Sequence, residues 1–441
     1  RVSGPFWFLS HRSARRYADS VILPFIDRRG WRKIPVLFKL RNYHYMTTAK
    51  RWLLPDGVEE ILPREAHKLE SLRRKLLDLY GSWGYELVIT PLIEFLDSLL
   101  VGSSHDLDLH TFKITDQLSG RMMGIRADIT PQAARIDAHC LNREGPVRLC
   151  YADSVLHTKP RGLLTSRVPI RVGAELYGHA GVECDIELIC LMHATLEAAS
   201  VPDIHHVLGH VGIFRALVDA AEIDADTEAR LFDAVQRKAY DEISEVLNAS
   251  VASDALRKLL TKLTQLSGDE NVLDEALAAF ASAPASVRAP LDELAAIAVG
   301  VQARVPGVRL CFDLCELRGY QYHTGVVFAA YTPIHGRAVA KGGRYDDIGE
   351  VFGRARPASG FDSDLKTLVK LSLDDFPKPA GIAAPLSTDS ELIALVAALR
   401  ASGEHVVSSL SEGLASAAQI VEQDCDRVIV KSESGWEVRP I

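Results

Sequence analysis

Leucines at 69, 72, 76 and 79 recur at helical spacing behind Pro63 and Glu65, which predicts a helix from Pro63 to about Tyr80. Proline is tolerated in a first helical turn, and an acid there suits the helix dipole. Gly81 and Gly84 end the pattern, and YELVITP (85–91) reads as a strand stopped by Pro91. HTFKITD and GRMMGIRAD flank the turn signal QLSG and predict a hairpin over 110–126. A helix from Thr130 to about Ala138, strands at 147–157 and 170–178, and an amphipathic helix in GVECDIELICLMHATLEAA follow.

Residues 215–300 are rich in Ala, Leu, Glu and Asp and poor in strand formers, which predicts an inserted helical domain at 220–302. Strand patterns resume at VRLCFDL, at 326–330 and at RAVAKGGRYDD. ASGFDSDLKTLVKL (358–371) reads as a helix introduced by a tight turn at Gly360. Pro377, Pro379 and Pro385 mark a linker. Beyond it come a helix at 389–401, the strand HVVSSL, a helix at 412–423, and the strands RVIVKS and GWEVRPI. The expected plan is a core of 46–219 and 303–376, the helical insertion 220–302, and a small C-terminal α/β module at 386–441.

The 441 residues suit two or three domains, and 47% hydrophobic residues suffice for a packed core. The net charge of −8 argues against a broad nucleic-acid surface, which needs a basic footprint. No run of about 18 apolar residues predicts a membrane span. Seven cysteines without a CxxC pair fit buried thiols in a reducing cytoplasm rather than a zinc site or disulfide framework. Residues 1–51 carry twelve Lys or Arg against two Asp, as a transit peptide would. Because ordered patterning begins at Met46, residues 1–45 are expected instead to be a non-native or poorly packed leader.

The stretch DLCELRGYQYHTGVVFAAY (313–331) sets Arg318 among Tyr320, Tyr322 and His323. A cation beside alternating rings suggests a pocket for a small molecule with a carboxylate and a flat group. Arg318 would equally serve as a salt-bridge partner for Glu316. The glycines of KGGRYD permit a tight turn or close backbone approach. The basic residues of KPRGLLTSR (159–167) suit a solvated loop.

Several segments in order, LLPDGVEEILP, the helix and strand ending at Pro91, RADIT (126–130), LRGYQY and KGGRYD, resemble the class II aminoacyl-tRNA synthetase core, specifically the histidyl kind, over about 53–375. The resemblance implies an α+β fold: a mostly antiparallel sheet flanked by helices. Two departures matter. The synthetases hold ATP with two arginines, and those positions fall here on Leu156 and Thr367, with Thr158 in place of an acid and Lys366 alongside. Fixed guanidinium forks stabilise charge on a reacting phosphate, and loss of one such donor costs about 100- to 1,000-fold in rate. The tail is also far shorter than an anticodon-binding domain.

A synthetase-like core so stripped resembles the regulatory subunits of ATP phosphoribosyltransferase, whose wording RADITPQAARID and CELRGYQYHTGVVFAAY approach. That resemblance implies a non-catalytic chain without cofactor or metal. It implies a cytoplasmic hetero-oligomer with a short catalytic subunit, acting in the first step of L-histidine biosynthesis, with feedback by histidine. The segment near 70–91 implies self-association as a dimer, and neither nucleic acid nor membrane is an implied partner. A histidyl-tRNA synthetase, a tRNA- or amino-acid-sensing paralogue, and a ligase joining an amino acid to a protein are the alternatives.

The resemblance also implies a histidine-like pocket. Arg318 would meet a carboxylate, Asp128 and Thr130 an ammonium, and Glu175 an imidazole N–H, with Tyr322 nearby. Arg171 stands where a glutamine would touch the amine, and His323 where a tyrosine would touch the ring. Asp128 and Thr130 would alternatively cap the helix that begins there.

Overall fold

The computed structural model describes residues 53–100, 105–160, 162, 165–317, 319–320, 322–411 and 424–441, together with the backbone of a hairpin near the start. That hairpin pairs Val21–Asp27 with Gly30–Val36 inside the Arg-rich leader; the rest of residues 1–45, Arg318 and the expected helix at 412–423 lie outside the described residues. The chain divides into one unit, Arg1–Val58, and a second, Glu59–Ile441.

The second unit is built on a sheet that, among the described residues, has nine strands. From one edge they run Ser267–Gly268, Arg309–Asp313, His205–His210, Val326–Thr332, His335–Arg344, Ala358–Asp364, Ile170–Tyr177, Val147–Ser154 and Glu86–Leu87. Only the pairs Arg309–Asp313 with His205–His210 and Glu86–Leu87 with Val147–Ser154 are parallel; the others are antiparallel. This is the mixed, mainly antiparallel architecture that the class II resemblance implies.

Helices cover the sheet where the sequence is apolar at helical spacing. The helix Pro63–Ser82 buries Leu69, Leu72, Leu76 and Tyr80. The helix Val182–Ala198, expected to be amphipathic, is buried over most of its surface, including the apolar run Leu188–Met192 and Asp185. Between Val211 and Arg304 the chain forms six helices joined by turns, with one short strand among the described residues, Ser267–Gly268, which pairs with Arg309–Asp313. Among the described residues, no helix is long and apolar enough to cross a membrane.

The predicted hairpin forms, with Phe112–Thr115 against Met122–Ile125 and Ile93–Phe95 beside them. YELVITP shortens to Glu86–Leu87 at the sheet edge. HHVLGH forms an inner strand, His205–His210, that the sequence pattern does not announce. The C-terminal sheet, ordered Val406–Ser408, Gly381–Ala384, Cys425–Ser432, Gly435–Pro440, starts inside the expected Pro-rich linker.

The largest difference from expectation lies at 358–371. Ala358–Asp364 is a strand, and helix begins only at Leu365. Gly360 makes no turn; it lies opposite Glu175 in an antiparallel ladder. A Cβ on it would overlap Glu175 Oε2 and lie 3.0 Å from the Ala174 carbonyl. The arginine of KGGRYD fixes the next strand. Arg344 Nε and Nη2 donate to Asp185 Oδ2 at 3.1 and 2.6 Å, with both residues buried. Breaking one side of such a pair leaves an uncompensated charge and costs about 3–5 kcal/mol.

Gly360→Ala should therefore lower stability by about 1–3 kcal/mol, the cost of overpacking a filled interior. Gly81→Ala, in a helix with nothing within 4 Å of the added methyl, should raise it by about 0.5–1 kcal/mol. Urea denaturation of both variants checks the pair of signs.

Candidate functional site

Residues directly opposite in antiparallel strands share a face. Leu149, Glu175, Gly360 and Gly343 thus form one row across the sheet. The opposite face of the same strand carries Val172, Ala174 and Leu176 into the main core. Two glycines beside Glu175 leave a floor without side chains. The Glu175 carboxyl fills it at Gly360, and the His323 ring fills it at Gly343, where a Cβ would lie 2.8 Å from the ring. The glycines of KGGRYD therefore permit close packing within a strand.

Glu175 is 1% exposed. Its Oε1 accepts from Thr130 Oγ1 at 2.7 Å and from the Tyr151 hydroxyl at 3.0 Å, and its Oε2 from the Tyr345 hydroxyl. Burial pushes this carboxyl from its ordinary 4.5 up to about 8, against the opposing pull of those hydroxyls. Burial thus favours the protonated form near neutral pH, in which the carboxyl O–H donates a hydrogen bond to one of these hydroxyls.

Arg171 is not a loose cation in the pocket. Its Nη1 lies 3.2 Å from Asp362 Oδ2, with both side chains nearly buried. Burial opposes its charge, but Asp362, Asp128 and Asp364 together hold its pKa above the ordinary value. Asp362 thus offsets the charge of Arg171. Asp128 Oδ1 accepts from the Ile129 N–H at 2.7 Å and, weakly, from the Thr130 N–H at 3.5 Å. The helix Thr130–Arg135 has no side-chain cap hydrogen bond at Ile129, so Asp128 shapes the turn before it.

Tyr322 stacks on Tyr345 with ring centroids 5.2 Å apart and meets His323 edge-on at 5.3 Å. Burial raises its pKa well above the ordinary value, so it remains a neutral hydroxyl. That hydroxyl is buried and has no hydrogen-bond partner among the described residues. Buried tyrosine hydroxyls usually find one. His323 Nδ1 lies 3.2 Å from the Arg344 carbonyl, which can only accept, so Nδ1 carries the proton. Burial brings the His323 pKa down to about 4, so the ring is neutral near pH 7 and Nε2 offers a lone pair. A cleft of about 470 Å³, lined by Tyr322, His323, Arg215, Asp347 and Glu350 among others, opens at these rings.

Thr130, Glu175, Tyr322 and His323 thus converge on one end of the sheet, joined by Tyr151, Tyr345 and Asp362, which the sequence reading does not name. Tyr151 alternates with Leu149 and Asp153 along its strand, a signal that becomes usable once the pairing with Ile170–Tyr177 is known. Asp362 is hidden by the helical reading of 358–371.

Leu156 and Thr367, where the resemblance implies lost synthetase arginines, make only local contacts. The Leu156 N–H donates to the Arg126 carbonyl at 3.0 Å. Thr367 Oγ1 donates to Asp364 Oδ2 at 2.9 Å. The Lys366 ammonium is buried between Glu59 Oε1 at 3.1 Å and Ser166 Oγ at 3.3 Å. Arg126 spends its guanidinium on Thr90, the Ser154 carbonyl and Asp153.

Residues 57–368 match the histidyl-tRNA synthetase family model, and residues 379–439 match the ATP phosphoribosyltransferase subunit HisZ C-terminal domain. A curated relative from Ectopseudomonas mendocina, an ATP phosphoribosyltransferase regulatory subunit, is 56% identical over 399 residues, covering 90% of this chain and 100% of its own. One of the same name from Azotobacter vinelandii is 56% identical over 397 residues with the same coverage. A crystal structure from Bacillus halodurans, described as an ATP phosphoribosyltransferase regulatory subunit/histidyl-tRNA synthetase, superposes with a TM-score of 0.74 at 26% identity, covering 84% of this chain and 96% of its own. Histidyl-tRNA synthetase from Nostoc shares the fold, with a TM-score of 0.72 at 19% identity over 88% of this chain and 97% of its own.

The raised pKa of Glu175 has a measurable sign. The folded chain holds this proton more tightly than the unfolded chain. The resulting stability is complete below about pH 4.5, declines as pH rises, and is gone above about 8. The loss should approach about 1.4 kcal/mol per pH unit inside that window. In Glu175→Gln, which keeps the shape but cannot ionise, this component of the slope should disappear. Chemical denaturation of both proteins from pH 5 to 9 measures it.

Proposed function

The chain belongs to the family of ATP phosphoribosyltransferase regulatory subunits, and from that premise we propose that it assembles with a short catalytic subunit, activates it, and confers inhibition by L-histidine. Its role is regulatory rather than catalytic. The single observation that carries this reading is the match at 56% identity along a regulatory subunit's entire length, including the HisZ-type C-terminal domain.

The site supports a binding role. Free histidine offers an ammonium, a carboxylate and an imidazole N–H. The acids around Arg171, the Tyr322 hydroxyl, which has no partner among the described residues, and the Glu175 carboxyl are groups of matching character. Arg318 is our choice for the carboxylate. An aliphatic side chain at 156 and an occupied hydroxyl at 367 offer nothing to a reacting phosphate. All seven cysteines are free, which suits work in a reducing cytoplasm. Histidine and the active state would oppose each other through a coupling free energy, typically about 1–3 kcal/mol.

Self-association is part of the same proposal. Ile89, Leu92, Ile93 and Met122 are exposed apolar residues on or beside the small sheet that contains Ile93–Phe95. Such a patch marks an interaction surface, and the expected occupant is a second copy of this chain.

Added to the matching short catalytic subunit, the chain should raise ATP phosphoribosyltransferase activity, and histidine should reverse the gain. It should not exchange pyrophosphate with ATP in the presence of histidine. Exchange without activation would assign it to the synthetases. Sedimentation should give a dimer of the chain alone, and Ile89→Lys, at a side chain 78% exposed, should shift it toward monomer without unfolding it.

A further inference from the structure

The segment that supplies Tyr322 and His323 also carries a ring that points elsewhere. Tyr320 is 7% exposed and packs among the helices that follow the His205–His210 strand. Its ring meets Phe214 edge-on at 5.5 Å and Phe232 at 5.4 Å. Its hydroxyl donates to Glu228 Oε1 at 2.7 Å. Phe214 lies on the helix Val211–Ala220, and Glu228 and Phe232 on the helix Ala225–Gln236.

Arg215, on the first of these helices, completes the attachment. Its Nη2 donates to the Tyr320 carbonyl at 3.1 Å and to the His323 carbonyl at 3.3 Å. Its guanidinium carbon lies 5.0 Å from the centroid of the Tyr320 ring, and the residue lines the cleft beside Tyr322. One cation thus ties the carbonyl of Tyr320, whose ring lies among the helices, to that of His323, whose ring lines the cleft. Gly319, at φ +71°, makes the turn that leads into them and packs under the His323 ring.

We propose that Arg215 and Tyr320 form a latch through which the helices Val211–Ala220 and Ala225–Gln236 set the position of Tyr322 and His323, so that filling the pocket and shifting these helices are one coupled equilibrium. The physical basis is the shared backbone. A ligand that engages Tyr322 or His323 displaces the carbonyls of Tyr320 and His323. Those carbonyls are held by Arg215, and the Tyr320 ring cannot follow without disturbing Phe214, Phe232 and Glu228. Packed rings and a bidentate cation favour discrete arrangements over continuous deformation. Arg215 and Tyr320 are positioning residues on this account, and the proposal rests on reading the pocket as the histidine site.

The test is hydrogen–deuterium exchange of the full chain with and without histidine, alongside calorimetric histidine binding. In the wild type, histidine should alter exchange in 211–236 as well as in 319–324. Tyr320→Phe keeps the ring and removes the hydroxyl bond to Glu228; Arg215→Met removes the bridge. Each should retain the wild-type denaturation midpoint closely enough to fold, weaken histidine binding about 5-fold or more, and abolish the ligand-dependent change in 211–236. Arg215→Lys should restore part of both. Should Arg215→Met fail to fold, Tyr320→Phe and Glu228→Gln decide the matter. Wild-type binding without a change in 211–236, or a change that persists in the variants, overturns the latch alone. Absence of histidine binding to the wild type overturns the pocket reading and the latch with it.

Discussion

A carboxyl group inside a sheet must find donors, keep its proton, or be expelled. Glu175 finds donors while burial favours its protonated form, and the site follows from how its donors are placed. Gly360 gives up its side chain so that the carboxyl has space. Thr130 comes from the start of a helix, Tyr151 from the neighbouring strand, and Tyr345 from the end of a strand two places away. The Tyr345 ring then carries Tyr322 on its face. The Arg344–Asp185 pair fixes the residue just before Tyr345, so a buried ion pair on one side of the sheet orients a hydroxyl on the other.

The same arrangement suits the proposed binding role. The groups that converge at this end of the sheet are hydroxyls, a protonated carboxyl, a neutral imidazole and an arginine already matched by acids. Such groups suit the small polar ligand proposed for this site. They do not gather positive charge where a phosphate would react. Lys366, beside the position where the resemblance implies a second lost arginine, has its ammonium buried on Glu59 and Ser166. The regulatory role of the family and the local electrostatics therefore agree.

Much of this was legible in the sequence, and what was not has a physical cause. Glu175, Thr130, Tyr322 and His323 stand in segments whose text resembles the histidyl synthetases, and periodicity finds the long helices. Gly360 and Asp362 escaped because GFDSDLK has the composition of a turn and a helix start. Only pairing with Ile170–Tyr177 makes it a strand. Tyr151 and Tyr345 escaped because their roles depend on register between strands far apart in the chain. Tyr320 is read from sequence as one more pocket ring; its burial among helices begun a hundred residues earlier decides otherwise. Arg318 lies outside the described residues, and its part in the pocket remains a proposal.

The protonation state of Glu175 tests the account most directly. Infrared difference spectra, wild type minus Glu175→Gln, would be recorded near pH 7 with and without histidine. The account predicts a protonated carboxyl band in the free chain that gives way to a carboxylate band when histidine binds, since an imidazole N–H favours the ionised acceptor. A carboxylate band already present in the free chain, or a protonated band unmoved by saturating histidine, would contradict it.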